Sequence, residues 1–194
     1  MYEYISGKIT ELNPAYVVVE ANSIGYIIHI SLHTYSVLDK KETAKVYTHQ
    51  IVREDVNMLY GFSDKSEREI FRLLISVSGI GPNTARVMLS SLKAGEIKKA
   101  IRTEDVATIK SVKGIGVKTA QRVIIDLRDK IDKTEVEETS DSVSTSNTTC
   151  FEASSALTML GFPKTKAEKV VSTIFSKENE ITVEELVKKA LKIL

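Results

Sequence analysis

The octapeptide SGIGPNTA at residues 78–85 returns as KGIGVKTA at 113–120, 35 positions later. In each copy two glycines bracket an isoleucine, and helix-forming sequence lies on both sides. Glycine permits a turn at positive φ and lets another backbone approach closely. A turn of this kind opens on a helix N-terminus, whose first N–H groups have no intrahelical acceptor. Those donors, together with the helix dipole, suit a phosphate. The first copy therefore offers Gly79, Ile80, Gly81, Asn83 and Thr84 as a candidate site, and the second offers Gly114, Ile115, Gly116, Lys118, Thr119 and Arg122. Ile80 and Ile115 are expected to anchor each turn in a core. Thr84 and Thr119 add hydroxyls, and Lys118 and Arg122 add charge to the second copy.

This is the helix-hairpin-helix pattern of DNA binders that do not read sequence. Flanking matches, Val77 with Val112 and Ala85 with Ala120, extend the repeat, while Val87 against Arg122 departs from it. The alternative is that both turns are only tight helix connections. A mononucleotide P-loop is excluded, because no G-x-x-x-x-G-K-[ST] occurs. Phosphate contacts carry no base information, so binding through such turns is shape-led and salt-sensitive.

Charge is distributed to match. The net charge is only +1, yet residues 63–133 hold 15 Lys/Arg against 9 Asp/Glu, whereas residues 1–62 hold 5 against 7. The segment with both repeats is the basic one, the usual footprint of a polyanion site.

The pattern reads as a multidomain chain, β then α. Residues 1–62 contain five short β-rich runs, YISGKITEL, AYVVVEA, GYIIHIS, AKVYTHQI and VNMLYGF. Five strands in so short a stretch predict a small closed barrel, OB-type or SH3-like. From Asp64 the period becomes helical, with Ser63 or Ser66 as the expected cap of the first helix, and residues 63–133 form the central helix-hairpin-helix domain. Residues 134–149, TEVEETSDSVSTSNTT, are nine-sixteenths Ser or Thr with four acids, and predict a flexible linker. Its span would be roughly 20–24 Å. Residues 150–194 predict a small domain of three helices, with a Thr182/Glu185 capping box.

Other chemistry finds little support. His29 and His33 straddle a strand end, and Cys150 is the only cysteine, so neither a metal site nor a disulfide is expected. The N-terminus MYEYISGKIT lacks a leader pattern and no apolar run approaches 18 residues; a cytoplasmic protein is expected, with no membrane and no cofactor.

The order of these features resembles the RuvA family of Holliday-junction-binding subunits. The resemblance covers the barrel ending in VREDVNMLYGF (52–62), the tandem hairpins, the acidic Ser/Thr linker and the LGF-containing tail. It implies an OB-type barrel and a non-catalytic role in DNA recombination and repair. It implies a homotetramer, or an octamer of two such plates, that grips four-way junction DNA through eight hairpins per plate. Glu54 and Asp55 match the family's acidic pin, and Leu157, Leu160, Phe162 and Leu191 match positions that contact a RuvB-type hexameric ATPase. A RuvC-type resolvase is implied in the larger complex. Two positions depart from the family: Asn83 and Val117 stand where it commonly carries Lys or Arg.

Two rival functions have distinct signatures. A helix-hairpin-helix glycosylase or nuclease needs an activating Asp or a carboxylate cluster; Asp126 and Asp129 follow the second hairpin but read as surface helix charges. A single-strand binder needs aromatic platforms in a basic groove; Tyr16, Tyr26, Tyr47, Tyr60 and Phe62 instead alternate with core residues in a segment of net negative charge.

Overall fold

The computed structural model describes residues 2–138, 145–176, 178 and 181–194. Two compact units are present, Met1–Thr134 and Glu135–Leu194. The first opens with five strands: β1 (Tyr4–Asn13), β2 (Tyr16–Ala21), β3 (Ile24–Ile30), β4 (Thr43–Arg53) and β5 (Val56–Phe62). They close into a barrel in the order β1-β2-β3-β5-β4. Every pairing is antiparallel except β3 with β5. This is the OB-type arrangement, and the SH3-like alternative is set aside. Inward residues Ile5, Val17, Val19, Ile28, Ile30 and Val46 are buried at alternate positions. The β2–β3 turn places Asn22 and Ser23 at φ of 49° and 64°, the left-handed pair that suits the twist of a two-residue hairpin.

A helix not expected from the sequence, α1 (Leu32–Leu38), lies between β3 and β4. Ser31 caps it, its hydroxyl accepting from the Thr34 N–H at 3.0 Å. Seven residues give too few turns for an apolar stripe to stand out, so Ser31 reads as a strand end until the cap is seen.

Strand β5 faces two cores. Gly61 points into the barrel, where a Cβ would come within 2.4 Å of Ile28 Cγ2 and 2.7 Å of Val46 Cγ1. Tyr60 and Phe62 point the other way onto Phe71 of α2 (Lys65–Ile75), Tyr60 stacked with ring centroids 5.1 Å apart and Phe62 tilted against it at 4.9 Å. Burying a side chain such as Phe71 contributes about 1.5–3 kcal/mol. Helices α3 (Pro82–Ser91), α4 (Ala94–Arg102), α5 (Val106–Lys110) and α6 (Val117–Glu138) complete this core around Leu74, Met88, Ile97, Ile101, Ile109 and Leu127.

The cap of α2 differs from expectation. Asp64, not Ser63 or Ser66, is the N-cap, and its carboxylate accepts from the Glu67 N–H at 2.7 Å. Ser66 falls inside the first turn, and Ser63 serves Glu67 instead. Glu67 is only 1% exposed. It accepts from Ser31 Oγ at 2.5 Å, Thr34 Oγ1 at 2.6 Å and the Ser63 N–H at 3.1 Å. Next to it, Arg68 donates to Glu3 Oε1 at 2.6 Å and to the Glu3 carbonyl at 2.8 Å. The pair fixes α2 to two separate segments at the barrel end where β5 finishes, the residues that precede β1 and those that follow β3, and the arginine holds the Glu3 carboxyl below its usual range.

The second unit holds α7 (Thr145–Met159), α8 (Lys164–Phe175) and α9 (Val183–Leu191) around Leu157, Val171, Ile174 and Leu186. Helix α7 ends in a Schellman motif: the Phe162 N–H donates to the Leu157 carbonyl and the Gly161 N–H to Thr158, with Gly161 at φ 99°. Thr182 caps α9, accepting from the Glu185 N–H at 3.3 Å. The stretch read as a linker, 134–149, falls partly outside the described residues, which omit 139–144; α6 is described to Glu138 and α7 from Thr145. Among the described residues, no helix is long and apolar enough to cross a membrane.

Two barrel histidines give the first unit a pH dependence. Burial holds His29 and His49 below the ordinary imidazole value, helped at His29 by Arg86 and at His49 by Arg72 and Arg68. In the unfolded chain both titrate near about 6.5. Below that pH the unfolded state binds more protons, so stability is present above about pH 6.5 and is lost as pH falls toward the depressed folded values. Thermal melts between pH 8 and 5.5 should show the midpoint falling on the acid side. The His29→Gln/His49→Gln variant should show a flatter profile over the same range.

Candidate nucleic-acid interface

The two glycine turns share one backbone geometry. Gly79 and Gly114 sit at φ of 92° and 91°, a conformation that a side chain would strain. In the first turn the Ile80 N–H donates to the Val77 carbonyl at 3.1 Å; in the second Ile115 donates to Val112, also at 3.1 Å. Ser76 and Ser111 close the preceding helices alike, each hydroxyl donating to the carbonyl three residues back at 2.7 Å. Ile80 and Ile115 are buried as anchors, and Ala85 and Ala120 are fully buried behind them.

Each turn delivers a helix start. The first intrahelical bonds are Ala85 N–H to the Gly81 carbonyl and Ala120 N–H to Gly116, both at 2.9 Å. The N–H groups of Asn83 and Thr84, and of Lys118 and Thr119, precede those bonds. Asn83 and Lys118 are exposed, and Thr84 and Thr119 are half-exposed. Gly81 is the N-cap of α3 at φ −86°, a conformation open to any residue. A Cβ on Gly81 or Gly116 would meet no atom within 4 Å. The fold itself does not require glycine at either position, but a ligand lying against the turn would.

The turns differ in charge. Lys113 and Lys118 flank the second, Lys110 lies just before it, and all three are exposed. The equivalents of Lys113 and Lys118 in the first turn are the neutral Ser78 and Asn83. Lys110 and Lys113 were not among the residues selected from the sequence; Lys113, the first letter of KGIGVKTA, was the available signal. Arg122 is exposed and pairs with Asp126, four residues on, at 3.7 Å. The first turn of α5 is set by Asp105, which accepts from Thr108 Oγ1 at 2.6 Å and from the Thr108 N–H at 3.0 Å; those bonds lower its pKa.

Glu54 and Asp55 form the two-residue turn between β4 and β5, closed by the Arg53–Val56 pairing. Both are exposed, and neither side chain forms an ion pair among the described residues. The turn projects from the unit that carries both hairpins.

In the tail unit, Leu157 is fully buried and belongs to the core, while Phe162 packs half-buried against it. Leu160 and Leu191 are exposed, as are Met159 and Ile193, which were not picked out in the sequence. Met159 is 89% exposed and borders a groove of about 350 Å³ between α7 and α8, together with Phe151, Lys164 and Glu168. In the barrel, Tyr60 and Phe62 are buried and Tyr16, Tyr26 and Tyr47 half-buried, so these rings do not form an open stacking platform.

Known proteins match along the whole chain. A model of the RuvA N-terminal domain matches residues 1–61, a SAM-like tandem helix-hairpin-helix model residues 71–129, and a model of the RuvA C-terminal domain residues 152–194. The Holliday junction branch migration complex subunit RuvA of Christiangramia forsetii is 56% identical over 194 residues and covers all of both chains. The corresponding proteins of Flavobacterium psychrophilum and Bacteroides thetaiotaomicron are 52% and 48% identical, again over full length. With three domain models in order and full-length identity of this degree, the chain belongs to the RuvA family.

Proposed function

We propose that this protein binds four-way DNA junctions through backbone phosphates, holds the crossover open and recruits a RuvB-type hexameric ATPase for branch migration. It is a non-catalytic subunit of recombination and repair in the cytoplasm, and the motor is supplied by the partner. The observation that carries the reading is the pair of matching glycine turns, each presenting free helix N–H groups, on one unit with an unpaired acidic turn. The relatives named above, each a Holliday junction branch migration complex subunit, support it.

In the proposed assembly four chains form a plate with the Glu54–Asp55 turns at its centre, as a homotetramer or, with a second such plate, an octamer. In each plate eight hairpins grip the arms and eight carboxylates face the crossover. Like charges repel phosphates most at close range, so a continuous duplex is disfavoured at the centre while open arms are accepted around it. Leu160, Phe162 and Leu191 offer the ATPase an apolar surface, with Leu157 supporting it from the core. A RuvC-type resolvase would share the junction.

The direct test is competition of labelled four-way junction with excess linear duplex in moderate salt and Mg²⁺. Strong junction preference is expected; equal affinity would leave the acidic turn without a role and reduce the hairpins to a generic backbone grip. Gly81→Ser and Gly116→Ser isolate the phosphate contact. Serine is at least as good an N-cap as glycine and meets no neighbour, so the melting midpoint should hold. Junction affinity should fall about tenfold, the loss of roughly one charge-assisted hydrogen bond. Asn83→Lys restores the missing charge of the first turn. A slope of log affinity against log salt steeper by about 0.9 per added phosphate contact is expected, with a gain in affinity; an unchanged slope would remove Asn83 from the phosphate surface.

A further inference from the structure

The first hairpin is tied to the barrel by directional polar contacts. At the start of α2, Glu67 gathers Ser31 and Thr34 from the first turn of α1 and Ser63 from the β5–α2 connection, so that its two oxygens meet donors from two different segments. On α3, Arg86 Nη1 donates to the Ala15 carbonyl at 2.9 Å, in the β1–β2 turn. One turn on, Ser90 Oγ accepts from the Leu32 N–H at 3.1 Å. The polar contacts seen at the second hairpin, Asp105 with Thr108 and Arg128 with Glu104, lie inside the helical layer. The described contacts that reach across to the barrel side thus include those of the hairpin with less charge, and the barrel carries the acidic turn.

We propose that Glu67 and Arg86 are positioning residues, which hold the first hairpin in register with the Glu54–Asp55 turn and so set the preference for a junction over linear duplex. The inference rests on the function proposed above. A linear duplex needs only phosphate grips and tolerates small shifts among them. A junction needs the grips at fixed distances from the central carboxylates. Apolar packing of Phe71 on Tyr60 and Phe62 resists separation but is weakly directional. Hydrogen bonds weaken steeply with misalignment, so they can fix the rotation of α2 and α3 against the barrel. A buried carboxylate met by hydroxyl and N–H donors suits that role, because each donor fixes a direction as well as a distance.

The experiment compares full-length protein with Glu67→Gln, Arg86→Leu and Arg86→Lys. Affinities for four-way junction and linear duplex are measured at one salt concentration, with the salt slope and the melting curve of each variant. Glu67→Gln and Arg86→Leu should lower the junction-to-duplex affinity ratio about tenfold, the equivalent of one lost directional contact. Duplex affinity and salt slope should hold, and Arg86→Lys, which keeps a donor for Ala15, should recover most of the ratio. If Glu67→Gln fails to fold, Arg86→Leu on the half-exposed face of α3 still decides the matter. An unchanged ratio in Arg86→Leu would overturn the inference, as would a parallel loss for both DNAs. Wild-type protein with no junction preference would overturn the proposed function and the inference with it; a preference that survives Arg86→Leu overturns the inference alone.

Discussion

Everything in the first unit hangs on β5 having two different faces. Gly61 leaves room inside the barrel for Ile28 and Val46, while Tyr60 and Phe62 carry aromatic surface outward onto Phe71. One strand therefore closes the barrel beside β3 and seeds the helical core. The same strand begins at the acidic turn and ends two residues before α2. The distance from Glu54 and Asp55 to the first hairpin is thus set by a short, fully structured path, and by the polar contacts of Glu67 and Arg68 on either side of it.

The hairpins show how a repeat can preserve geometry while dividing chemistry. Their turn φ values differ by a degree, their anchoring isoleucines are equally buried, and their closing serines make the same bond. The backbone donors are thus duplicated. The side chains are not: lysines flank the second turn, and Ser78 and Asn83 flank the first. Neutral donors contribute direction with little dependence on salt, whereas ammonium groups contribute charge over a range set by the Debye length, about 8 Å at physiological ionic strength.

Much of this was legible in the sequence because it depends on local rules. The five β-rich runs, the positive-φ glycines and the buried isoleucines follow from alternation, from the absence of a Cβ and from apolar spacing within a few residues. What escaped depends on contacts between distant segments or on very short elements. Helix α1 is seven residues long, and its cap Ser31 also serves a carboxylate 36 positions away. Asp64 takes the α2 cap because the helix begins at Lys65, which leaves Ser63 one position too early and Ser66 inside the first turn. Leu157 and Leu160 look alike in the sequence, yet the Schellman turn at Gly161 buries the first and leaves the second on the surface.

The balance of attraction and repulsion explains why the acidic turn is small. Two unit charges 10 Å apart in water interact by only about 0.4 kcal/mol, and salt reduces this further. A single exposed turn would hardly disturb a passing duplex. In each plate of the proposed assembly eight carboxylates share one centre, so their effects add on any phosphate brought there and fade within a Debye length of it. Under the proposed reading, selectivity for a junction comes from the spacing between a short-range repulsive centre and its surrounding donors, and the β5–α2 joint is the part of the chain that connects the two.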